Sequence, residues 1–470
     1  MVARLSRDGS VRPPRQKAPP AEAGRVRLTD LQRIQPDAAG IDVGSRVHYV
    51  AVPEERAEES VRHFGCYTRD LEALAHWLQE CRVKTVAMEA TGVYWIPLFQ
   101  VLERAGLEVK LVDARHVANV PGKETDVDDC RWLQQLHSYG LLRGCFRPPD
   151  EIAVLRSYWR QRATLVEEGA QAIHWMHKAL EQMNVQLHKT VSDVTGVTGM
   201  TILRAIVAGE RDPQVLARYR EPGVKAGAEE LAAALRGDWR EEHLFALEQA
   251  LARYDFTQQQ MAECDARIQQ RLQSFPSQAD PTQYDLPTRR ARRKNQVHFD
   301  LRAELVRITG VDLCRIDGID ALTAYTVITE SGVDLAGSFG VEKRYASWLG
   351  LSPHNKITGG KVRSRHTRKV RNRAATALRV AAQSLERSKT ALGAFYRRMK
   401  ARHGAPKAVT ATAHKLACLI FRMLAFGMEY VDQGQQAYEE KQRQRHLRSL
   451  HRQAASLGYA LVNTATGVVS

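Results

Sequence analysis

Apolar and polar residues alternate in three short runs between positions 38 and 68, and this pattern predicts three successive β-strands. The runs are AAGIDVG, RVHYVAV and RHFGCYT, joined by short turns. Helical periodicity then alternates with two further strand patterns, VKTVAME and LEVKLVDA, before a helix that begins near Asp126. Three strands followed by alternating helices and strands predict a mixed sheet with helices packed on it.

This order of elements matches the ribonuclease-H-like arrangement, so we predict an α/β N-terminal domain followed by mainly helical regions. A heptad pattern runs through the later helices. Its first position is filled by Leu247, Tyr254, Met261 and Ile268, and its second by Leu244, Leu251, Gln258, Asp265 and Leu272. Because polar residues interrupt the second position, a dimerising coiled-coil hairpin and a helix pair within one chain both stay open.

The patterns divide the chain into five regions. They are a basic, Pro-rich, disordered arm at 1–36, the ribonuclease-H-like domain at 37–150, a helical and coiled-coil region with a basic linker at 151–300, a mainly helical C-terminal domain at 301–432, and a polar tail at 433–470. We expect the tail to be loosely ordered.

The net charge of the chain indicates what kind of molecule the protein binds. The net charge of +16 and the sequence pI of about 9.6 indicate a polyanion, and such values are typical of proteins that bind nucleic acid. The seven cysteines are scattered without metal-type spacing, which is typical of reduced thiols in a cytoplasmic protein. We expect no signal peptide, and we expect the lipophilic run KLACLIFRMLAF, which contains Arg422, to be a core helix.

Four acids follow the elements of the predicted sheet. Asp42 ends the first strand and Glu89 ends the fourth, while Asp126 and Asp129 lie three apart at a helix start and so share one face. In a ribonuclease-H-like sheet the first and fourth strands are neighbours and the last helix crosses their ends. We therefore expect the four carboxylates to converge on one spot.

Clustered carboxylates repel each other unless cations neutralise them. Two Mg²⁺ ions about 4 Å apart, with Mn²⁺ as a substitute, would do so and could polarise a phosphodiester. The simpler alternatives are that Asp42 is a turn residue and that Asp126 caps its helix.

A basic run lies in the C-terminal domain, in the segment NKITGGKVRSRHTRKVRNR. It follows a Gly-Gly turn, where backbone amides can approach phosphate, so we interpret it as a nucleic-acid contact. The residues are Lys356, Lys361, Arg363, Arg365, Arg368, Lys369, Arg371 and Arg373. The alternative is a solvated charged face.

Five segments together carry a family resemblance that covers roughly residues 38–430. They are GIDVG, MEATGVYW, VKLVDARHVANVPGKETDVDDCRWLQQLHSYGLL, YASWLGLSPHNKITGGK and RNRAATALRVAAQSLERSKTALGAFYRRMKARHGAPKAVTATAHKLA. In this order they resemble the signature segments of the DEDD transposases of insertion-sequence family one hundred and ten. The resemblance implies a RuvC-type domain with Asp42, Glu89, Asp126 and Asp129 as its four acids, a coiled-coil insertion and a C-terminal transposase domain.

The resemblance also implies a mechanism. Family members excise and insert a mobile element by strand exchange, guided in the well-studied cases by a structured noncoding bridge RNA. They combine the metal-binding acids with a hydroxyl nucleophile, usually serine, just before a Gly-Gly-Lys segment, and they assemble as a dimer of dimers. This chain departs from the pattern, because Thr358 stands at the serine position.

Threonine has the same hydroxyl, but its β-methyl group restricts its approach to phosphorus. We expect Thr358 to be the nucleophile. The open alternatives are Ser352 or Ser364 in that role, an impaired copy, and a purely structural turn residue at 358.

The sequence therefore predicts a DNA transposase/recombinase of the bacterial cytoplasm, associated with the nucleoid while it acts. Its expected partners are double-stranded DNA at the element ends and target, a structured guide RNA, and further copies of itself as a dimer or dimer of dimers, without a membrane. The alternatives are a metal-dependent Holliday-junction-type nuclease without a covalent step, and a non-catalytic nucleic-acid-binding protein.

Overall fold

The computed structural model describes residues 32–113, 125–287, 294–359, 361–364, 366–368 and 370–462. Most of the predicted basic arm and part of the predicted basic linker lie outside these residues. The chain divides into two compact units, 1–147 and 148–470. The finer division into five regions stays a prediction.

The first unit is built on a five-stranded mixed sheet, as the sequence predicted. Its strands are β1 Ala38–Val43, β2 Val47–Ala51, β3 Val61–Gly65, β4 Thr85–Glu89 and β5 Glu108–Val112. Their order is β3-β2-β1-β4-β5, and β1 is antiparallel to β2 but parallel to β4. The first and fourth strands are therefore neighbours, which fits the predicted ribonuclease-H-like arrangement.

Helices cover both faces of this sheet. α1 (Thr68–Glu80) and α2 (Trp95–Arg104) bury their apolar faces with Ile41 and Met88 in one core. Since side chains alternate along a strand, Gly40 and Asp42 lie on the opposite face from Ile41. That opposite face is covered by α3 (Asp126–Ser138), which packs on β1.

The second unit is mainly helical, and two long helices form its spine. α4 (Asp150–Gln182) and α9 (Glu241–Gln273) pack against each other within the chain, so the structure shows the helix pair that the heptad pattern left open. Four short helices between them close a shared core: α5 Leu187–Thr190, α6 Val197–Val207, α7 Pro213–Ala217 and α8 Ala228–Ala234.

A buried ion pair explains one polar interruption of the heptad. Asp265 and Arg162 are almost fully buried, and the Arg162 Nε atom donates to Asp265 Oδ1 at 2.5 Å. The other oxygen of Asp265 lies 2.7 Å from Nδ1 of His298. A carboxylate at this position is therefore satisfied by partners distant in sequence.

The C-terminal part of this unit contains a two-stranded ribbon, β6 Lys356–Thr358 and β7 Lys361–Ser364. The helices around it are α10 Leu301–Thr309, α11 Ala321–Ser331, α12 Leu335–Phe339, α13 Glu342–Trp348, α14 Arg373–Ser384, α15 Ala391–His403, α16 Ala405–Phe426 and α17 Gly434–Ser456. The expected loosely ordered tail is instead the regular helix α17, although no residue of this helix is buried.

Within the described part of the chain, one helix, α16, is long and apolar enough to cross a membrane by length and composition. Its apolar face, which includes Leu416, Ile420 and Phe421, is buried against neighbouring helices of the unit. Its remaining surface carries Lys415 and Arg422. This packing is that of a core helix, as the sequence predicted.

Candidate catalytic acids and nucleic-acid interface

Asp42 and Glu89 lie side by side at the carboxyl ends of two neighbouring parallel strands. The register pairs Ile41 with Met88, so Asp42 and Glu89 occupy the next position on β1 and β4. Both side chains are half-buried on the face opposite the α1/α2 core. The Oε1 atom of Glu89 accepts a hydrogen bond of 2.9 Å from Thr91 Oγ1. Two carboxylates at this spacing, about 4.8 Å between strands, favour a cation between them.

Asp126 and Asp129 begin α3, but neither of them caps it. The N-cap is Thr125, whose side chain accepts from the Asp128 backbone N–H at 3.2 Å. The Thr125 hydroxyl in turn donates to Asp128 Oδ2 at 2.6 Å. The alternative in which Asp126 is the N-cap is therefore wrong, because Thr125 and Asp128 already make that interaction. One carboxylate oxygen of Asp129 is buried.

A glycine lets α3 approach the strand that carries Asp42. A Cβ atom at Gly40 would lie 2.2 Å from the backbone nitrogen of Gln134 and 2.4 Å from the carbonyl oxygen of Cys130. The Gln134 side chain also donates to the Ala38 carbonyl at 3.2 Å. No side chain larger than hydrogen fits at position 40 in this packing.

Two buried titratable side chains of α3 lie on the side of the helix that packs against the sheet. Burial raises the pKa of the Cys130 thiol to about 12, and the negative charge of Asp42 adds to this. Farther along the helix, His137 is fully buried and its Nε2 atom lies 2.9 Å from Thr85 Oγ1. Burial lowers the pKa of His137 to about 4, and the positive charge of Lys110 contributes. The helix start is thus near Asp42, and its second half is anchored to β4.

The four acids do not form a single close cluster. Among the residues that the structure describes, no three His, Cys, Asp or Glu side chains come together so that they could hold one metal ion. Asp42 and Glu89 are neighbours on the strand ends, whereas Asp126 and Asp129 lie three residues apart at the start of the helix. The expected convergence on one spot is not reached at ligand distance. Each pair does fit Mg²⁺ in its donor chemistry, because this ion often takes one or two carboxylates and completes its shell with water and phosphate.

Thr358 is exposed at the end of β6, the first strand of the two-stranded ribbon. It is the register partner of Lys361, and Gly359, the residue that follows it, has a left-handed φ of +56°. Ile357 on the same strand is 61% exposed, so the ribbon does not bury its apolar side chains. The hydroxyl at 358 is therefore accessible to a large substrate.

The basic residues of this segment fall into two groups. Lys361, Arg363, Arg371 and Arg373 are exposed. Arg368 is also exposed, but its Nη2 atom donates to the carbonyl and the hydroxyl of Ser347 at 2.9 Å, which ties it to the end of α13. Arg365, Lys369 and the side chain of Lys356 lie outside the described residues.

The two serines that could replace Thr358 have different surroundings. The half-buried Ser352 places its Oγ atom 3.4 Å from Nδ1 of His414, and burial lowers the pKa of this histidine. The Oγ atom of Ser364 accepts from the His366 backbone N–H at 3.3 Å within the turn. Sequence reasoning missed His414, which lies on α16, 62 residues from Ser352. No local signal in the sequence joins them.

Comparison with known families adds to this geometry. A family model for DEDD transposases of the IS110 type, described as a transposase, matches residues 39–185. A second model, described as the transposase IS116/IS110/IS902 family, matches residues 312–397. The first segment contains all four acids and the second contains the ribbon with Thr358. No curated protein matches the chain.

The protein is thus a transposase, an enzyme of the class that moves DNA segments, and DNA is its substrate. Both family models belong to the same family of transposases, and the DEDD model matches the earlier part of the chain. The chain belongs to the IS110 family of DEDD transposases.

Proposed function

We propose that this chain excises and inserts a mobile DNA element by metal-assisted phosphodiester strand exchange with a covalent protein–DNA step. The observation that carries the proposal is the placement of Asp42 beside Glu89, with α3 and its two aspartates packed over the same face of the sheet. Neighbouring half-buried carboxylates are donors that Mg²⁺ takes together with phosphate and water.

In this proposal Asp42, Glu89, Asp126 and Asp129 would hold two Mg²⁺ ions. When bound, the ions supply charge stabilisation for the attacking and leaving oxygens of the phosphodiester. The protein's own part is orientation. Thr91 fixes the Glu89 carboxylate, while the Thr125–Asp128 cap fixes the first turn of α3, which carries Asp126 and Asp129.

The acid set is tested with Asp42→Asn and Glu89→Gln in an excision assay that detects the circular element junction. We expect both variants to lose junction formation by at least about a hundredfold, since each removes a metal-ligand charge. The matched control is Asp128→Asn, a neighbouring acid that makes the helix cap and can still accept a hydrogen bond. Normal junction formation by Asp42→Asn, or an equal loss in the control, would reject the acid assignment.

For the covalent step we propose that the Thr358 hydroxyl attacks phosphorus, forms a phosphothreonyl bond and releases the DNA 3′ or 5′ oxygen as the leaving group. Its exposure on the ribbon supports access, and the exposed Lys361 and Arg363 beside it would contact the flanking phosphates. The proton of the attacking Thr358 hydroxyl is transferred to solvent. Later attack by the DNA oxygen on the same phosphorus regenerates the free hydroxyl.

A second candidate nucleophile is Ser352, which the contact with His414 favours, because a neutral imidazole can accept a hydroxyl proton. The two are separated by trapping covalent protein–DNA adducts with Thr358→Val, Thr358→Ser and Ser352→Ala. We expect the valine variant to form no adduct and the other two to form it. Adducts that persist in Thr358→Val and disappear in Ser352→Ala would move the role to Ser352.

We further propose that a structured noncoding RNA selects the DNA sites and that the active form is a dimer or dimer of dimers. The support is the family and the net charge of +16, which exceeds what one ribbon needs. Sequencing RNA that copurifies with the protein tests this. We expect one abundant structured RNA from next to the element, and a random pool of cellular RNA would count against guidance.

The metal-dependent nuclease without a covalent step stays the main rival, and the adduct experiment decides it. A nuclease of that type would cut DNA with every Thr358 and Ser352 variant and would never form an adduct. A non-catalytic binding protein would cut DNA with none of the variants, at any Mg²⁺ concentration.

A further inference from the structure

The C-terminal helices enclose a second basic site that is separate from the ribbon. A cavity of about 460 Å³ lies between α15, α16 and α17. Four cationic side chains line it, Lys415, Arg422, Lys441 and Arg445, and all four come after the residues that the family models match. Arg422, Lys441 and Arg445 also lie beyond the five segments that carry the family resemblance, whereas Lys415 belongs to the last of them.

Lys415 is the deepest of these cations. It is half-buried, and its ammonium lies 4.7 Å from the ring centre of Phe395 and 5.7 Å from that of Tyr438. No carboxylate of the described residues lies within ion-pair distance of it. Burial lowers the pKa of Lys415, and the positive charges of Arg398 and Lys441 lower it further. A half-buried cation beside other cations is costly unless an anion joins it.

The nearby acids do not supply that anion. Of the four lining cations, Arg422 is the one that makes an ion pair with a described residue, through two hydrogen bonds to the Glu342 carboxylate. Glu429, which also lines the cavity, lies 3.4 Å from Arg315. In the part of the chain that the structure describes, Lys441 and Arg445 make no ion pair. The positive charge of the cavity is thus left for a ligand.

Tyr438 lines the cavity and indicates what kind of anion fits, and Phe395, which is not a lining residue, contacts it. Tyr438 and Phe395 meet edge to face, with ring centres 6.5 Å apart, and the Tyr438 hydroxyl accepts from Arg398 Nε at 2.9 Å. Cations beside accessible aromatic rings are typical of sites that bind a nucleic-acid strand, where phosphates meet the cations and bases stack on the rings.

We propose that this cavity binds the phosphodiester backbone of a single-stranded nucleic-acid segment, with Lys415, Lys441 and Arg445 on phosphates and Tyr438 as the stacking surface. The proposal rests on the proposed function only in that the protein has a nucleic-acid partner. It adds a site that neither the acids nor the ribbon provides.

The test measures binding of the full-length protein to short fluorescein-labelled single-stranded DNA and RNA of one sequence, by anisotropy, in EDTA so that no catalysis occurs. The main variant is Lys441→Gln with Arg445→Gln, since both side chains are exposed and their loss leaves the fold intact. The matched control is Arg448→Gln with Arg452→Gln, which removes the same charge from the same helix outside the cavity. Lys415→Gln is added, with its thermal unfolding measured alongside.

We expect the cavity variant to bind at least about tenfold more weakly and to show a shallower salt dependence, while the control changes less than about threefold. Tyr438→Leu should weaken binding and Tyr438→Phe should not, because only the ring is needed for stacking. Equal weakening in cavity variant and control, or none in the cavity variant, overturns the proposal. Failure of the wild-type protein to bind either oligonucleotide would instead count against the proposed function itself.

Competition identifies the source of the anion. Unlabelled oligonucleotide should displace the probe far better than inorganic phosphate or polyglutamate at the same anion concentration. Displacement by inorganic phosphate with equal efficiency would show a site for a free anion, and displacement by polyglutamate would show a site for an acidic protein; either result overturns a strand-binding site. The ratio of DNA to RNA affinity then tells which strand the cavity prefers.

Discussion

The two regions for which we propose a chemical role are held in opposite ways. Asp42 and Glu89 belong to inner strands of a sheet that is covered by helices on both faces, and a glycine fixes the distance to the covering helix. Thr358 lies at the end of a two-stranded ribbon whose apolar residues remain exposed. The acids are therefore pre-organised by the core, whereas the hydroxyl depends on its local turn and on what binds it.

The largest effect is expected from Gly40→Ala, which disrupts the packing of α3 on the sheet. The added Cβ atom would collide with the backbone of α3, so the helix must shift away from the strand. We expect a loss of about 3 kcal/mol in the free energy of unfolding and loss of junction formation. Hydrogen exchange of the α3 peptides measures the local effect, and unchanged protection there would show that the contact does not position the helix.

A pH titration probes the same region with a smaller effect. The pKa of His137 is about 4 in the folded state and near 6.5 when unfolded, so between these values the unfolded state binds more protons. Stability is thus fully present above pH 6.5 and falls as the pH drops, by roughly 2 kcal/mol at pH 5. The hydrogen-exchange rates of peptides from β4 and α3 measure this loss of stability. His137→Gln should make stability less dependent on pH. An equally steep pH dependence in this variant would show that a group other than His137 causes it.

A cap substitution separates stability from chemistry in the acid site. Thr125→Ala removes the side-chain acceptor at the start of α3 and should cost about 1 kcal/mol. Because Asp126 and Asp129 sit in that first turn, we expect junction formation to fall more than this stability loss alone would cause. Thr125→Ser keeps the hydroxyl and is the control; a normal rate in the alanine variant would mean that the cap does not orient these acids.

The smallest effect on stability is expected at the ribbon. Gly359→Ala places a side chain at a left-handed φ of +56°, but the Cβ atom meets nothing within 4 Å. We expect the melting temperature to stay nearly constant, because the strain of roughly 1 kcal/mol is confined to the turn. Covalent adducts should nevertheless decrease, since the turn sets the position of Thr358. A large fall in melting temperature would show that the ribbon contributes to the stability of the core. The ribbon would then not differ in this respect from the sheet that carries the acids.

Much of the N-terminal fold could be predicted because its elements are short and regularly patterned. The period of two in β1 to β3 and the switch to alternating helices and strands identified the mixed sheet. The same patterning placed Asp42 and Glu89 at strand ends. It could not show that Thr125 and Asp128, rather than Asp126, make the helix cap, because several residues in that stretch are suitable and only the backbone geometry chooses among them.

The heptad pattern shows a different limit. Asp265 at an apolar position weakened the coiled-coil prediction, yet the structure buries it against Arg162, 103 residues away, and His298. The polar tail gave a similar error, since α17 is a regular helix without buried residues. Helical propensity and a few contacts with α15 keep it in place, and neither produces an apolar stripe that a pattern could reveal.

The sequence by itself determined the class of fold of the first unit, the family segments, the positions of the acids on their elements and the basic character of the protein, because each of these is encoded within a few neighbouring residues. Only the tertiary structure decided that no three metal-ligand side chains of the described residues come together, that Ser352 meets His414, and that Lys415, Lys441 and Arg445 line one cavity. These features depend on distances between residues far apart in the chain, and packing sets such distances.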